Sequence, residues 1–167
     1  EYKELLAQGL VAPTNMEVWT ANVDGSDDKQ ITNLGQANWA PNFTPDSKHI
    51  IFCSNHEYKR GFPFNMYLTD INGKGLEKIS RDKGFDAFPM FSPNGKKIIF
   101  ASNHETERGF PFNLFMINLD GTGLTKITSD GTFDAFPVFS NNGKYLVFAS
   151  NRNNGGTRDT NLFVAEW

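Results

Sequence analysis

Cysteine is almost missing from this chain: Cys53 is the single one in 167 residues. No internal disulfide can form, which excludes the framework of a small disulfide-stapled domain. Long apolar runs are missing too. The runs present are four to six residues long, far short of the roughly 20 that a membrane-spanning helix needs. No charge sign dominates, with 16 Lys and Arg against 19 Asp and Glu and a net charge of −3, so nothing resembles a basic field for nucleic acid or anionic lipid. Only three histidines occur, His49, His56 and His104. There is no Gly-x-Ser-x-Gly elbow, no glycine-rich phosphate loop, no His-Glu-x-x-His and no cysteine pair. Carboxylates could flank a glycosidic bond, but sequence fixes no separation for them. Glu1 opens the chain without an initiator Met or a signal peptide, which reads as a mature, trimmed or deliberately shortened product.

What the chain has in quantity is phenylalanine, glycine and proline, 16, 15 and 8 residues respectively. That mixture suits short strands joined by tight turns. The residues are also periodic. Phe133 to Ser150 reads FDAFPVFSNNGKYLVFAS, Phe85 to Ser102 reads FDAFPMFSPNGKKIIFAS, and Ala37 to Ser54 reads ANWAPNFTPDSKHIIFCS, each 48 residues from the next. Residues 1–16 stand outside the pattern as an N-terminal helical or linker segment, with a short amphipathic helix expected from about Tyr2 to Gly9. Three units follow without a gap, 17–64, 65–112 and 113–160, and 161–167 restarts the pattern. Cys53 stands where the other copies have Ala101 and Ala149, the place of a small core residue.

Each unit carries four strand signals. In the third they are 114–119, 124–128, a short strand from Pro137 to Ser140, and Tyr145 to Ser150. Asp120-Gly121 and Asn142-Gly143 between apolar runs predict hairpins, hence antiparallel neighbours. Successive connections of a meander alternate between the two ends of the strands. The tight turns therefore share one end, and the long connections (RDKGFDAF, SDGTFDAF, NHEYKRGFPF and NHETERGFPF) share the other. Four antiparallel strands every 40 to 50 residues predict an all-β propeller, and elaborate loops on a rigid scaffold are where function is expected.

Candidate residues gather at that second end. Asn38, Asp86 and Asp134 precede the short innermost strand and are expected near the mouth of the central channel. There they either form a polar ring for a ligand or fix their loops through backbone N–H groups. Asn-His-Glu occurs twice, as His56-Glu57 and His104-Glu105, and its third copy carries Arg152. His and Glu can ligate a metal, yet adjacent residues of a strand face opposite ways and the third copy breaks the set, so no metal or other cofactor is expected. Arg60 and Arg108 precede Gly-Phe-Pro-Phe, an aromatic and cationic pairing suited to a protein-binding surface.

The run Asp-x-x-Pro-x-Phe-Ser-Pro-Asn-Gly-Lys, followed by Ile-Ile-Phe-Ala-Ser-Asn over Asp86 to Asn103, resembles the repeat of TolB-like β-propellers. The third copy departs at Asn141, and the first at Asn38, Thr44 and Ser47. The resemblance covers roughly residues 17–167. It implies a soluble, non-catalytic protein of the bacterial periplasm (or a secreted one) that binds other proteins alongside the Tol–Pal system. The same repeat resembles the propellers that precede the catalytic domain of prolyl-oligopeptidase-like enzymes. An accessory propeller of such a hydrolase is thus a second reading, and a carbohydrate-binding or carbohydrate-cleaving propeller a third.

Counting strands gives two from one blade, two whole blades and three from a last, about three blades where a closed ring has four to eight. The expectation is the C-terminal half of a larger, six-bladed propeller. The rest would come from further polypeptide or from self-association, since open ends leave unpaired backbone and exposed apolar faces.

Overall fold

Asp and Asn side chains set the tight turns, and the turns set the strands. Asp120 Oδ1 accepts the Thr122 N–H at 2.9 Å, and Asp70 Oδ1 accepts those of Asn72 and Lys74 at 2.7 and 2.8 Å. At the other hairpin of each unit, Ser92 and Ser140 donate to Asn94 and Asn142 at 2.9 and 2.7 Å, as Thr44 does to Asp46 at 2.6 Å. These local side-chain bonds pre-form the turn before any tertiary contact exists.

The computed structural model describes residues 2–7, 15–58, 63–80, 84–106, 111–157 and 159–167. A helix α1 (Tyr2–Ala7) precedes the strands β1 (Trp19–Thr20), β2 (Lys29–Gln30), β3 (Asn38–Phe43), β4 (His49–Ser54), β5 (Asn65–Asp70), β6 (Glu77–Lys78), β7 (Asp86–Phe91), β8 (Lys97–Ser102), β9 (Asn113–Asn118), β10 (Thr125–Lys126), β11 (Asp134–Phe139), β12 (Tyr145–Ser150) and β13 (Asn161–Glu166). They form four antiparallel sheets in series: β1-β2, β3-β4-β5-β6, β7-β8-β9-β10 and β11-β12-β13. This is the all-β, four-stranded-blade architecture that the repeat predicts, with two partial blades flanking two whole ones.

Strand limits differ from the expectation: β9 is displaced by one residue from 114–119, and the innermost and outermost strands differ more. The innermost strand begins at Asp134, three residues before Pro137, and it pairs with β12 on both sides of a bulge between Ala135 and Val138. The bulge places Phe136 at φ 55°, as it does Phe88 at 55° and Ala40 at 50°. Pro41, Pro89 and Pro137 follow these residues, and the interrupted ladder there asks no N–H of a proline. The outermost strand is shorter than the expected 124–128, because Leu114 donates its N–H to the Thr128 hydroxyl at 2.9 Å. A side-chain oxygen takes the place of the next backbone carbonyl, and regular pairing stops at Lys126.

Apolar side chains on the sheet faces pack between neighbouring sheets. Val18 and Ile31 meet Ile50, Phe52 and Tyr67. Ile51, Cys53, Met66 and Ile79 meet Phe91, Ile98, Phe100, Phe115 and Ile117. Ile99, Ala101 and Leu114 meet Ala135, Leu146 and Phe148. Each fully buried Phe or Ile stabilises by about 1.5–3 kcal/mol relative to exposure. Cys53 is fully buried, and that burial, with the Asp86 carboxylate beside it, pushes its thiol pKa up and keeps it a core residue. No described helix is long and apolar enough to cross a membrane.

Candidate functional site

The Ser-Asn that ends every second strand organises the long-connection end. Asn55, Asn103 and Asn151 accept, through Oδ1, the N–H groups of Ala37, Phe85 and Phe133 at 2.9, 2.8 and 2.7 Å. The paired serines point at the first residue of the innermost strand. Ser54 Oγ donates to Asn38 Oδ1 and Ser102 Oγ to Asp86 Oδ1, both at 2.6 Å. Expected near the channel mouth, either as a polar ring or as loop-fixing residues, Asp86 and Asp134 are fully buried and Asn38 nearly so. The earlier start of the strand draws these residues out of the loop and into the ladder. The Ser-Asn pair is what sequence reasoning missed, although its recurrence in all three copies signals it.

His56 and His104 turn back over the same serines, with Nδ1 at 2.9 and 3.1 Å from Ser54 and Ser102 Oγ. Their rings lie on the next strand's aromatics, 4.6 Å from Tyr67 and 4.2 Å from Phe115 between centroids. Burial holds the His56 imidazole below its ordinary pKa, against the pull of Glu57. Glu57 and Glu105 diverge from the histidines to pair with Lys78 and Lys126 at 2.6 and 2.5 Å. Both pairs are substantially exposed, where such bridges contribute little. Among the described residues no three His, Cys, Asp or Glu side chains converge on one point.

Arg152, the third counterpart of the histidines, reaches farther. Its Nη2 donates to both Asp134 oxygens at 2.9 Å, its Nε lies 2.9 Å from Asp130 Oδ2, and its guanidinium covers the Phe148 and Phe163 rings at 4.9 and 5.4 Å. Burial alone would raise the Asp134 pKa, but bonds from Ser150, Thr128 and Arg152 hold it below the ordinary value. The first copy has no aspartate here, and its carboxylate comes from Glu17, 3.2 Å from Asn38 Nδ2. Sequence reasoning passed over Glu17, which lies 21 residues away with nothing in the spacing to link them. Arg60 and Arg108 lie outside the described residues.

Aspartate, serine and histidine thus meet in one blade, joined by hydrogen bonds through the serine hydroxyl. A serine nucleophile is exposed and gives its proton to a base. Ser102 is fully buried, and its hydroxyl donates a hydrogen bond to Asp86 Oδ1. Above this framework lies a circuit of rings. Trp39 touches Phe85 and Phe88, Phe85 touches Phe112, Phe112 touches Phe133, Phe133 touches Phe136, and Phe136 returns to Phe88 with centroids 4.0 Å apart. Phe136 remains 47% exposed, the widest aromatic opening on this circuit.

The chain is similar to a protein assigned as a TolB from Agrobacterium tumefaciens, with a TM-score of 0.74 at 20% identity over 90% of this chain and 52% of that one. TolB from Acinetobacter baumannii aligns with the same TM-score at 24% identity, over 93% of this chain and 36% of the other. An uncharacterized protein of Agrobacterium fabrum is 27% identical over 77 residues, 44% of this chain and 25% of its own length. The chain therefore spans about half or less of these relatives. Likeness of fold extends, at lower TM-scores and 16% identity or less, to an oligogalacturonate lyase and to peptidases. The family model described as the TolB beta propeller domain matches residues 8–158, and the chain belongs to that family.

Proposed function

We propose that this chain is a non-catalytic, protein-binding scaffold of the bacterial cell envelope that acts through the long-connection end of its blades. The observation that carries this reading is the division of labour there. Asn38, Asp86, Asp134, His56, His104 and Arg152 are engaged in bonds or ring contacts that hold neighbouring elements together. The ring circuit, by contrast, offers Phe136 to solvent. Aromatic anchors amid a polar rim are what protein interfaces use at their centres. Membership of the TolB beta propeller domain family supports an envelope location, the periplasm in particular. The rest of the ring, from further polypeptide or from a second copy, is a further partner that the open sheet edges call for.

A photo-crosslinking residue at Phe136 tests this against the same residue at Asp120, on the tight-turn end. In envelope extract, Phe136 should yield discrete protein adducts that Asp120 does not. Adducts equal at both ends, or absent from both, would remove the proposed face. A thermal shift with oligogalacturonate or a divalent metal would favour the carbohydrate reading instead.

A further inference from the structure

Asparagine precedes glycine four times, at Asn72-Gly73, Asn94-Gly95, Asn142-Gly143 and Asn154-Gly155. The pair can react with itself, because no side chain on the glycine shields its nitrogen from the asparagine Cγ. The fold treats these steps differently. Gly73, Gly95 and Gly143 each close a tight turn, donating their N–H groups to the carbonyls of Asp70, Ser92 and Ser140 at 3.0, 2.8 and 2.8 Å. A bond of this kind holds the proton on the nitrogen and opposes attack. At Asn154 the turn is set the other way, with the asparagine opening it. Its own carbonyl accepts the Thr157 N–H at 3.2 Å, and the Gly155 N–H makes no hydrogen bond among the described residues. The side chains, by contrast, are posed alike. Oδ1 of Asn94, Asn142 and Asn154 accepts the N–H two residues on, at 3.0, 3.1 and 3.0 Å, which folds each amide over its glycine. Asn94 and Asn142 are gripped further by the hydroxyls of Ser92 and Ser140. Residues 155–157 are exposed, and a Cβ on Gly155 or Gly156 would meet nothing within 4 Å.

We propose that Asn154 is a self-modification site, where the Gly155 nitrogen displaces ammonia from the side chain and an isoaspartyl residue results. Hydroxide takes the Gly155 N–H proton, and the nitrogen attacks Asn154 Cγ. Negative charge gathers on Oδ1, where the Gly156 N–H already points. As the new C–N bond closes a cyclic succinimide, the Cγ–Nδ2 bond breaks and Nδ2 leaves as ammonia with a proton from water. Water then adds to either ring carbonyl and breaks its bond to nitrogen, leaving aspartate or isoaspartate. The Asp-Gly steps do not compete, because an ionised carboxylate is a poor electrophile, and Asp130 is further held by Arg152 and Thr132. Either product puts a carboxylate where Nδ2 now donates to the Thr157 carbonyl at 2.6 Å. That bond becomes a repulsion between oxygens, and the long-connection end gains a permanent negative charge. The isoaspartyl form is the chemical class of methyl acceptor that S-adenosylmethionine-dependent carboxyl methyltransferases take. The site rests on turn chemistry and stands independently of the proposed partner.

The test holds the full, folded chain in mildly alkaline buffer and follows its tryptic peptides by mass spectrometry, with 153–158 carrying Asn154. Asn154 should convert about tenfold faster than Asn94 or Asn142, the factor that one hydrogen bond to be opened supplies. Isoaspartate should form there, seen as methyl transfer from S-adenosylmethionine to peptide 153–158 by an isoaspartyl methyltransferase. In the urea-unfolded chain the four rates should converge, because the turns that separate them are gone. Asn154→Gln should remove the fast phase of the folded chain and leave the slow conversions unchanged. Three results would each overturn the proposal. One is Asn94 or Asn142 converting as fast as Asn154 in the folded chain. Another is no conversion at Asn154 over the time in which the unfolded chain converts. The third is aspartate alone at 154, which direct hydrolysis gives without a succinimide.

Discussion

Arg152 and His56 occupy one repeat position and solve one problem in two ways: how to close the space over a buried polar residue. Arg152 brings a charge to a fully buried carboxylate. His56 brings an imidazole to Asn38 through Ser54, with the carboxylate supplied by Glu17. Removing Arg152 leaves Asp134 buried without its cation, so Arg152→Ala should cost about 3 kcal/mol by chemical denaturation. The double variant Asp134→Asn, Arg152→His recreates the first copy's pair. It should cost less than the two single changes summed, with a coupling of about 1–3 kcal/mol; strict additivity would show that the residues act separately. At His56 the sign is set by burial, which depresses the folded pKa below 6.5. The unfolded chain then binds its proton first as pH falls, so the contribution is complete above about pH 6.5 and is lost below it. The stability gap between the natural chain and His56→Gln should narrow from pH 7.5 to 5.5, and a gap that widens would contradict the burial argument. Asn-His-Glu was legible as a repeat. Its partners were not, because Ser54 meets Asn38 through antiparallel register at a separation of 16 residues, which no local pattern encodes.

Strands and turns obey the repeat more closely than their neighbours do. Gly25 and Gly73 hold one place in successive units, both at positive φ (83° and 76°). A Cβ on Gly25 meets nothing within 4 Å, whereas on Gly73 it would lie 2.1 Å from the Ile31 carbonyl oxygen of the preceding sheet. Gly25→Ala therefore costs only the left-handed strain, about 1 kcal/mol. Gly73→Ala must also push two backbones apart and should cost roughly 2–4 kcal/mol in urea denaturation. Equal losses would mean that the turn does not touch its neighbour. The fourth strand of the third unit, Tyr145–Ser150, was read from sequence with both limits right, since Asn142-Gly143 and the apolar run bound it. The innermost strand was read short because Pro137 looks like a strand start. Its bulge depends on Phe136 adopting φ 55°, a conformation that phenylalanine does not advertise.

Four sheets in series share three packed interfaces, so a sheet's stability depends on how many neighbours it has. The repeat made this legible in advance, while the asymmetry of its ends is visible only in burial. β4 and β8 are buried along nearly their whole length, but β13 is exposed at all but one position. Gly95 and Gly143 carry the same contrast, since they close on Pro45 and Pro93 of the sheet before them. The third copy has Asn141 where the second has Pro93, and it is exposed. Opening of such an arc should begin at its ends, where an element leaves with one interface rather than two. Amide hydrogen exchange should therefore be slowest in β4, β5, β8 and β9, faster in β11 and β12, and fastest among the strands in β13 and the β1-β2 pair. Added denaturant should raise the end strands to the global rate first and the two central sheets last. Uniform protection across all four sheets would show that the arc opens as one cooperative unit, and that its interfaces are stronger than the exposed ends imply.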